Sequence, residues 1–221
     1  MPLDEQILRN IQTGPARLIL KRHFHPDQSL DPLSGRPNSG RWATASGTLY
    51  AADATHVAWA EYCRCFWHDI DAAAPITSGT ITVTELARIG SQELQEAPIR
   101  TIYEIEVDLT LLADLTTPVN RRALQNAGFP LNDFFTNDPA TGILHYDYGQ
   151  CPEVAGLGER LGWEALRAPS AAWPVGGHTI AIFSSGKSSI VRCDPVFTGR
   201  PTVAMAVATR YRNGQKPSWV P

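Results

Sequence analysis

Residues 40–64, GRWATASGTLYAADATHVAWAEYCR, constrain the fold more than any other stretch. A Gly-flanked basic segment is followed directly by a small-and-aromatic run (48–52) that can pair as a strand, and then by a helix. Asp53 is of the residue type that caps a helix N-terminus, and the pattern predicts a helix running to about Trp67. On that helix Ala54, Val57, Ala58 and Cys65 recur at helical spacing with Glu61 in the same stripe, while Trp59, Tyr62 and Phe66 form a second apolar stripe. A helix apolar on two sides has little surface to offer water. A carboxylate on it is expected to be desolvated or aimed into a cleft, with Tyr50 opening onto the same cleft. A loop arginine, a strand-end tyrosine and a helix glutamate suit an anionic substrate whose reaction builds up positive charge.

The rest of the chain supplies elements around this unit. Residues 3–12 predict a short helix. Residues 16–24 have the apolar content of a strand, with Arg22 and His23 near its end. The segment 25–40 (HPDQSLDPLSGRPNSG) is rich in turn formers and predicts a long ordered loop delivering into Arg41. After the helix, residues 80–83 read as a short strand and 88–97 as a helix or loop. Residues 102–109 (IYEIEVDL) alternate cleanly between apolar and polar, the pattern of a half-buried strand. Asp114-Leu115-Thr116 leads into a helix at 119–127, and 128–150 reads as irregular surface. A helix at 153–161 ends at Gly162. Short strands follow at 165–166, 179–183 and 189–192, with a further one at 203–207 in a tail. Strands and helices interleave without a βαβ rhythm, so one mixed α+β domain is expected. Its predicted limits are 20–195, with an extension at 1–19 and a tail at 196–221.

Composition excludes several function classes. The net charge of −3 over 221 residues argues against a nucleic-acid coat or a polybasic membrane binder. No apolar run is long enough for a membrane span and no signal-peptide pattern opens the chain, so a cytoplasmic address is expected, in the producing cell or in a target cell. Four cysteines are too few for a disulfide framework, and Cys63-Arg64-Cys65 is too tight for a zinc knuckle, so free thiols are expected. His23, His25, His56, His68 and His145 lack metal-ligand spacing, so no metal is expected, and His23 and His25 are expected to be solvated. Neither GxGxxG nor GxxxxGK[ST] occurs, which leaves out Rossmann and Walker-type nucleotide sites.

Several of these pieces recur in one known family. Arg22 precedes His25-Pro26 and Pro32-Leu33-Ser34-Gly35. Gly40-Arg41-Trp42, Gly47 with Leu49-Tyr50, and AWAEY at 58–62 follow in order. Residues 107–116 look like a strand ending in DLT, and 162–183 (GWEALRAPSAAWPVGGHTIAIF) carry a PSA turn with Ser170. Together, over about residues 20–185, these resemble the RES domain family. These are bacterial toxin domains named for an Arg, a Glu and a Ser, and usually paired with an Xre-type antitoxin. Ala43 and His178 stand where the family usually has Asn, and the segment between Glu61 and residue 102 is longer than is usual.

The resemblance implies an ADP-ribosyltransferase-like fold, a split mixed β-sheet with flanking helices around an NAD cleft. It implies breakdown of NAD+ at the nicotinamide–ribose bond by phosphorolysis or hydrolysis. NAD+ is then a substrate rather than a cofactor, with inorganic phosphate as co-substrate in the phosphorolytic case. The implied partner is an Xre-type helix-turn-helix antitoxin or an immunity protein, with no direct nucleic-acid or membrane contact and with oligomerisation left open. Two alternatives remain: mono-ADP-ribosylation of a protein target, and an inactive NAD-binding or interaction module. On this reading the catalytic set is Arg22, Tyr50, Glu61 and Ser170, and the NAD+-binding set is Arg22, Arg41, Tyr50, Ser170 and His178. Glu61 stabilises the oxocarbenium ion, the arginines take the pyrophosphate, Tyr50 faces the nicotinamide or its ribose, and Ser170 donates a hydrogen bond to a phosphate or ribose. No GxSxG frame surrounds Ser170, which argues against an acyl-enzyme nucleophile.

Overall fold

A computed structural model of the chain describes residues 5–27, 29–35, 37, 40–68, 99–127, 129, 136–137, 144–145, 151–170 and 176–200. The strands expected at 80–83 and 203–207, the segment 88–97 and most of 128–150 lie outside these residues. In order the elements are α1 (Glu5–Leu8), β1 (Thr13–Phe24), β2 (Leu49–Ala52), α2 (Thr55–His68), β3 (Arg100–Asp114) and α3 (Pro118–Asn126). There follow β4 (Thr136–Asn137), β5 (Leu144–His145), α4 (Cys151–Arg160), β6 (Ala165–Pro169), β7 (His178–Ile182), a 3-10 turn (Ser185–Ser189) and β8 (Ile190–Gly199). The fold is a single α+β domain, and β4 and β5 pair as a separate two-stranded ribbon.

β3 is the spine of the sheet. Tyr103, Ile105, Val107 and Leu109 are buried on one face, whereas on the other Glu104 and Glu106 are half-buried, Asp108 is exposed and Ile102 alone packs against α2. One edge of β3 pairs antiparallel with β1 along nearly its whole length, from Thr13↔Ala113 to Phe24↔Thr101. The other edge is divided. β8 takes its first part (Arg100↔Gly199 to Val107↔Ile190), and β6 takes its last three residues in parallel (Leu112↔Ala165 to Asp114↔Arg167). From β6 the sheet continues antiparallel to β7 and then β2, and β2 returns to β1 through Lys21↔Ala52. The ladders therefore form a circuit, β1–β3–β6–β7–β2–β1. β2, in the middle of the 40–64 stretch, is held in it on both edges.

The circuit separates two apolar clusters. One side packs Leu20, Leu49, Ile105, Val107, Leu109, Ile180 and Ile182. The other packs Trp42, Leu115, Leu124, Val154, Trp163, Leu166 and Phe183 beneath α1, α3 and α4. Removing each such side chain from water contributes roughly 1.5–3 kcal/mol. α3 starts as its sequence dictates, with Pro118 in its first turn and the Thr117 hydroxyl accepting from Asn120 N–H at 3.3 Å. α4 ends at Arg160 and is closed by Gly162, whose φ of 88° turns the chain while Trp163 N–H donates to Gly158 O at 2.9 Å.

Three expectations change. β1 begins at Thr13, because Pro15 sits at a register shift between Gly14 and Ala16 where its missing N–H costs no ladder bond. β8 runs on to Gly199 through Pro195, which an edge strand with a register shift tolerates. The limits at 19/20 and 195/196 thus fall inside strands, and Leu8 and Ile11 of the proposed extension are in the core. Asp53 does not cap α2: the helix opens at Thr55, and the Asp53 carboxylate binds His178.

Gly40 combines a φ of 98° with a close approach: a Cβ there would stand 2.8 Å from the Tyr50 ring. Gly40→Ala is expected to destabilise the protein by about 1–3 kcal/mol in urea unfolding. Gly14→Ala, where a Cβ meets nothing within 4 Å, is expected to change stability by less than about 0.5 kcal/mol.

Candidate active site

α2 lies against the sheet with Val57, Ala58, Trp59, Ala60 and Tyr62 buried and Thr55 and His56 exposed, so the expectation that little of it meets water holds over its described side chains. Glu61 is half-buried on this helix. Its Oε1 accepts from the Ser170 hydroxyl at 2.7 Å and from the Thr179 hydroxyl at 3.0 Å. Ser170, immediately after β6, is fully buried, and its N–H donates to Gly177 O at 2.9 Å, which holds the ends of β6 and β7 together. Register explains the convergence. Ala168 pairs with Thr179 across β6–β7, and Ala52 pairs with Thr179 across β2–β7. Thr179, paired with Ala168, and Ser170, two residues beyond Ala168, therefore share the face over which α2 runs.

Tyr50 lies on β2, two residues before Ala52. Its hydroxyl accepts from Trp42 N–H at 2.8 Å, which pins the GRW segment to the strand. The segment is closed by a hydroxyl turn: Thr44 N–H donates to Thr48 Oγ1 at 3.1 Å, and Thr48 Oγ1 donates to Trp42 O at 3.1 Å. Arg41 is 8 % exposed, and its Nη2 donates to Pro169 O at 2.5 Å, one residue from Ser170. Its guanidinium also stands 5.1 Å above the Trp42 ring. Arg22 donates from Nη1 to Tyr50 O at 2.8 Å and from Nη2 to Ser34 O at 2.9 Å. It thereby ties β1 to β2 and to the PLSG loop.

A chain of direct contacts therefore links the predicted residues from three separate segments. Arg22 touches Tyr50, Tyr50 touches Trp42, Arg41 touches Pro169, and Ser170 touches Glu61. Three features differ from the expected picture. Arg22 and Arg41 each spend an N–H on a main-chain carbonyl, so both brace the loops that border the site. Thr179 enters as a second donor to Glu61, and only its two-residue pairing with Ala168 and Ala52 reveals it. His178 is engaged away from Glu61: its Nδ1 is 2.6 Å from Asp53 Oδ2 and its N–H donates to Asp53 Oδ1 at 3.1 Å. Among the described residues no group of three His, Cys, Asp or Glu side chains is arranged to hold a metal ion, and no helix is long and apolar enough to cross a membrane.

The overall fold has a solved counterpart. A chain in the crystal structure of the M. tuberculosis MbcT–MbcA toxin–antitoxin complex superposes with a TM-score of 0.57, covering 94% of this chain and 96% of its own, at 20% sequence identity. The chain has the fold of that toxin–antitoxin component. No family model matches the sequence, and no curated protein matches it. The RES resemblance therefore holds at the level of fold, and the match runs over nearly the whole of both chains.

One surrounding residue departs from its expected state. His23 is packed rather than solvated, with its ring 5.3 Å from that of Tyr62 on α2. Burial, then the nearby Arg22 and Arg100 guanidiniums, push its imidazole down to about 3. Of the cysteines with described side chains, Cys151 and Cys193 are thiols outside any disulfide, as expected, and burial followed by Asp194 raises the Cys193 thiol.

Between pH 6.5 and about 3 the unfolded chain takes up a proton at His23 that the folded chain refuses, so stability falls as pH falls through this window. His23→Phe keeps a ring against Tyr62 and is expected to remove up to about 1.4 kcal/mol per pH unit of that loss. Urea unfolding of both proteins at pH 7 and pH 5 measures the difference.

Proposed function

We propose that this protein is a toxin that destroys NAD+ by cleaving the bond between nicotinamide and ribose. The observation that carries the reading is the Glu61 carboxylate, half-buried on α2 and oriented by the Ser170 and Thr179 hydroxyls. Cleavage of that bond releases neutral nicotinamide with the bonding electron pair and leaves positive charge shared between the ribose C1′ and its ring oxygen. A fixed carboxylate in a partly dehydrated site stabilises such an ion far better than water does, because it need not reorganise as the charge appears. Water or phosphate then adds at C1′, and the proton it sheds passes to Glu61 or to solvent. Ser170 and Thr179 hold the carboxylate in one rotamer at little entropic cost during the reaction.

The remaining roles follow from position. Tyr50 presents its ring beside the GRW segment and suits the nicotinamide or its ribose. Arg41 and Arg22, at the rims of the site, suit the pyrophosphate, which competes with main-chain carbonyls for their forks. His178 takes no direct substrate role in this reading, since Asp53 holds its ring nitrogen. The fold shared with a component of a toxin–antitoxin complex supports a cognate antitoxin as the partner. An Xre-type protein is the partner class that the RES resemblance suggests.

Purified protein incubated with NAD+ is expected to release nicotinamide, and a comparison with and without phosphate identifies the acceptor. Glu61→Gln is expected to keep the fold by circular dichroism and lose at least about 100-fold in kcat, and Ser170→Ala about tenfold. Intact NAD+ under both conditions from folded protein overturns the reading. Label from NAD+ appearing on a protein band instead identifies ADP-ribosyl transfer.

A further inference from the structure

Asp53 and His178 continue the β2–β7 ladder past Ala52↔Thr179, and the Asp53 carboxylate adds two contacts to His178 that the ladder does not need. Asp53 N–H donates to His178 O at 3.2 Å, His178 N–H donates to Asp53 Oδ1 at 3.1 Å, and His178 Nδ1 lies 2.6 Å from Asp53 Oδ2. At that distance from a carboxylate oxygen Nδ1 carries the proton and donates it. Arg167 Nη2, 3.0 Å from the same nitrogen and 3.7 Å from Asp53 Oδ2, then acts as a cation beside the carboxylate rather than as a donor to the ring. Arg167 Nη1 reaches Asp114 Oδ2 at 3.7 Å, which links the set to the end of β3.

We propose that Asp53, through His178, is a positioning residue that sets where the Glu61 carboxylate stands. The inference rests on the reading of Glu61 as the group facing the scissile bond. The geometry forms a closed loop. Asp53 leads into α2 two residues before the helix begins, and Glu61 lies about 9 Å further along the helix axis. His178 opens β7, and Thr179, the next residue, donates to Glu61. Clamping Asp53 to His178 therefore fixes the start of α2 against the strand that carries one of Glu61's two donors. A slide or rotation of α2 displaces the carboxylate relative to Ser170 and Thr179 together. Displacements of about 1 Å at a reacting group cost up to roughly 100-fold in rate. The three bonds converge on one residue at one end of the helix, whereas a stabilising ion pair alone would need only the Arg167 contact.

The full-length protein tests this with Asp53→Ala, His178→Ala and His178→Asn. Asparagine places an amide N–H near the position of Nδ1–H and keeps the donor to Asp53. Two readouts are taken: kcat and KM for NAD+ loss, and the 13C resonance of the Glu61 carboxyl carbon, which needs no turnover. Asp53→Ala and His178→Ala are expected to lower kcat about tenfold or more with KM within about twofold, and to move the Glu61 resonance. His178→Asn is expected to retain at least about half of kcat and the wild-type resonance. A Glu61 resonance unmoved in the alanine variants overturns the proposal, as does an asparagine variant that behaves like alanine. If the wild-type protein consumes no NAD+, the functional reading fails by itself and the resonance alone decides the positioning role. Should Asp53→Ala not fold, the His178 pair carries the same comparison.

Discussion

A carboxylate held out of open water must find its donors within the protein, and the site is built around that requirement at Glu61. α2 buries Val57, Ala58, Trp59, Ala60 and Tyr62, and Glu61 among them is only partly open to solvent. Leaving a half-buried charge without partners costs several kcal/mol. Ser170 and Thr179 meet it from two neighbouring strands. A single oxygen atom of Glu61 therefore ties the helix to the paired ends of β6 and β7. That tie depends in turn on the divided edge of β3, because β6 reaches it only through the three parallel rungs at the end of that strand.

The cationic residues show a second constraint. Arginines beside a site must be held in place before an anion arrives, or binding spends its energy ordering them. Arg22 and Arg41 achieve this through main-chain carbonyls of β2, the PLSG loop and the end of β6. The same contacts hold the loops to the sheet. Tyr50 plays a matching part for the GRW segment, and Gly40 permits it, since any side chain there would overlap the tyrosine ring. Bracing and recognition thus fall on the same side chains, which suits a long loop that carries function on a rigid frame.

Much of this was legible in the residues. The alternation at 102–109 gave β3, and its extension to Arg100 and Asp114 was missed because Leu111-Leu112-Ala113 breaks the period where β6 replaces β8 at the strand edge. The double apolar stripe gave α2 and placed Glu61 at the boundary between core and site. Asp53 was misread because an aspartate before a helix fits a cap on local grounds, and only the arrival of β7 beside it supplies a stronger donor. His23 was read as solvated because it adjoins a loop, but the helix above brings Tyr62 onto its ring. Thr179 carried no signal of its own: a threonine in a strand is ordinary until the register shows what it faces.

The order of residues along the chain settled which groups are available: a glutamate on a helix with little surface for water, a serine between small neighbours, an arginine near a strand end, another after a turn-rich segment, and the glycine that opens GRW. Local physics was enough for that, since periodicity and turn chemistry act over a few residues. Which groups meet was decided by the sheet. Glu61 and Ser170 are separated by 109 positions, and Asp53 and His178 by 125. Contacts at such separations are set by strand register and by closure of the β1–β3–β6–β7–β2 circuit, which no local pattern encodes.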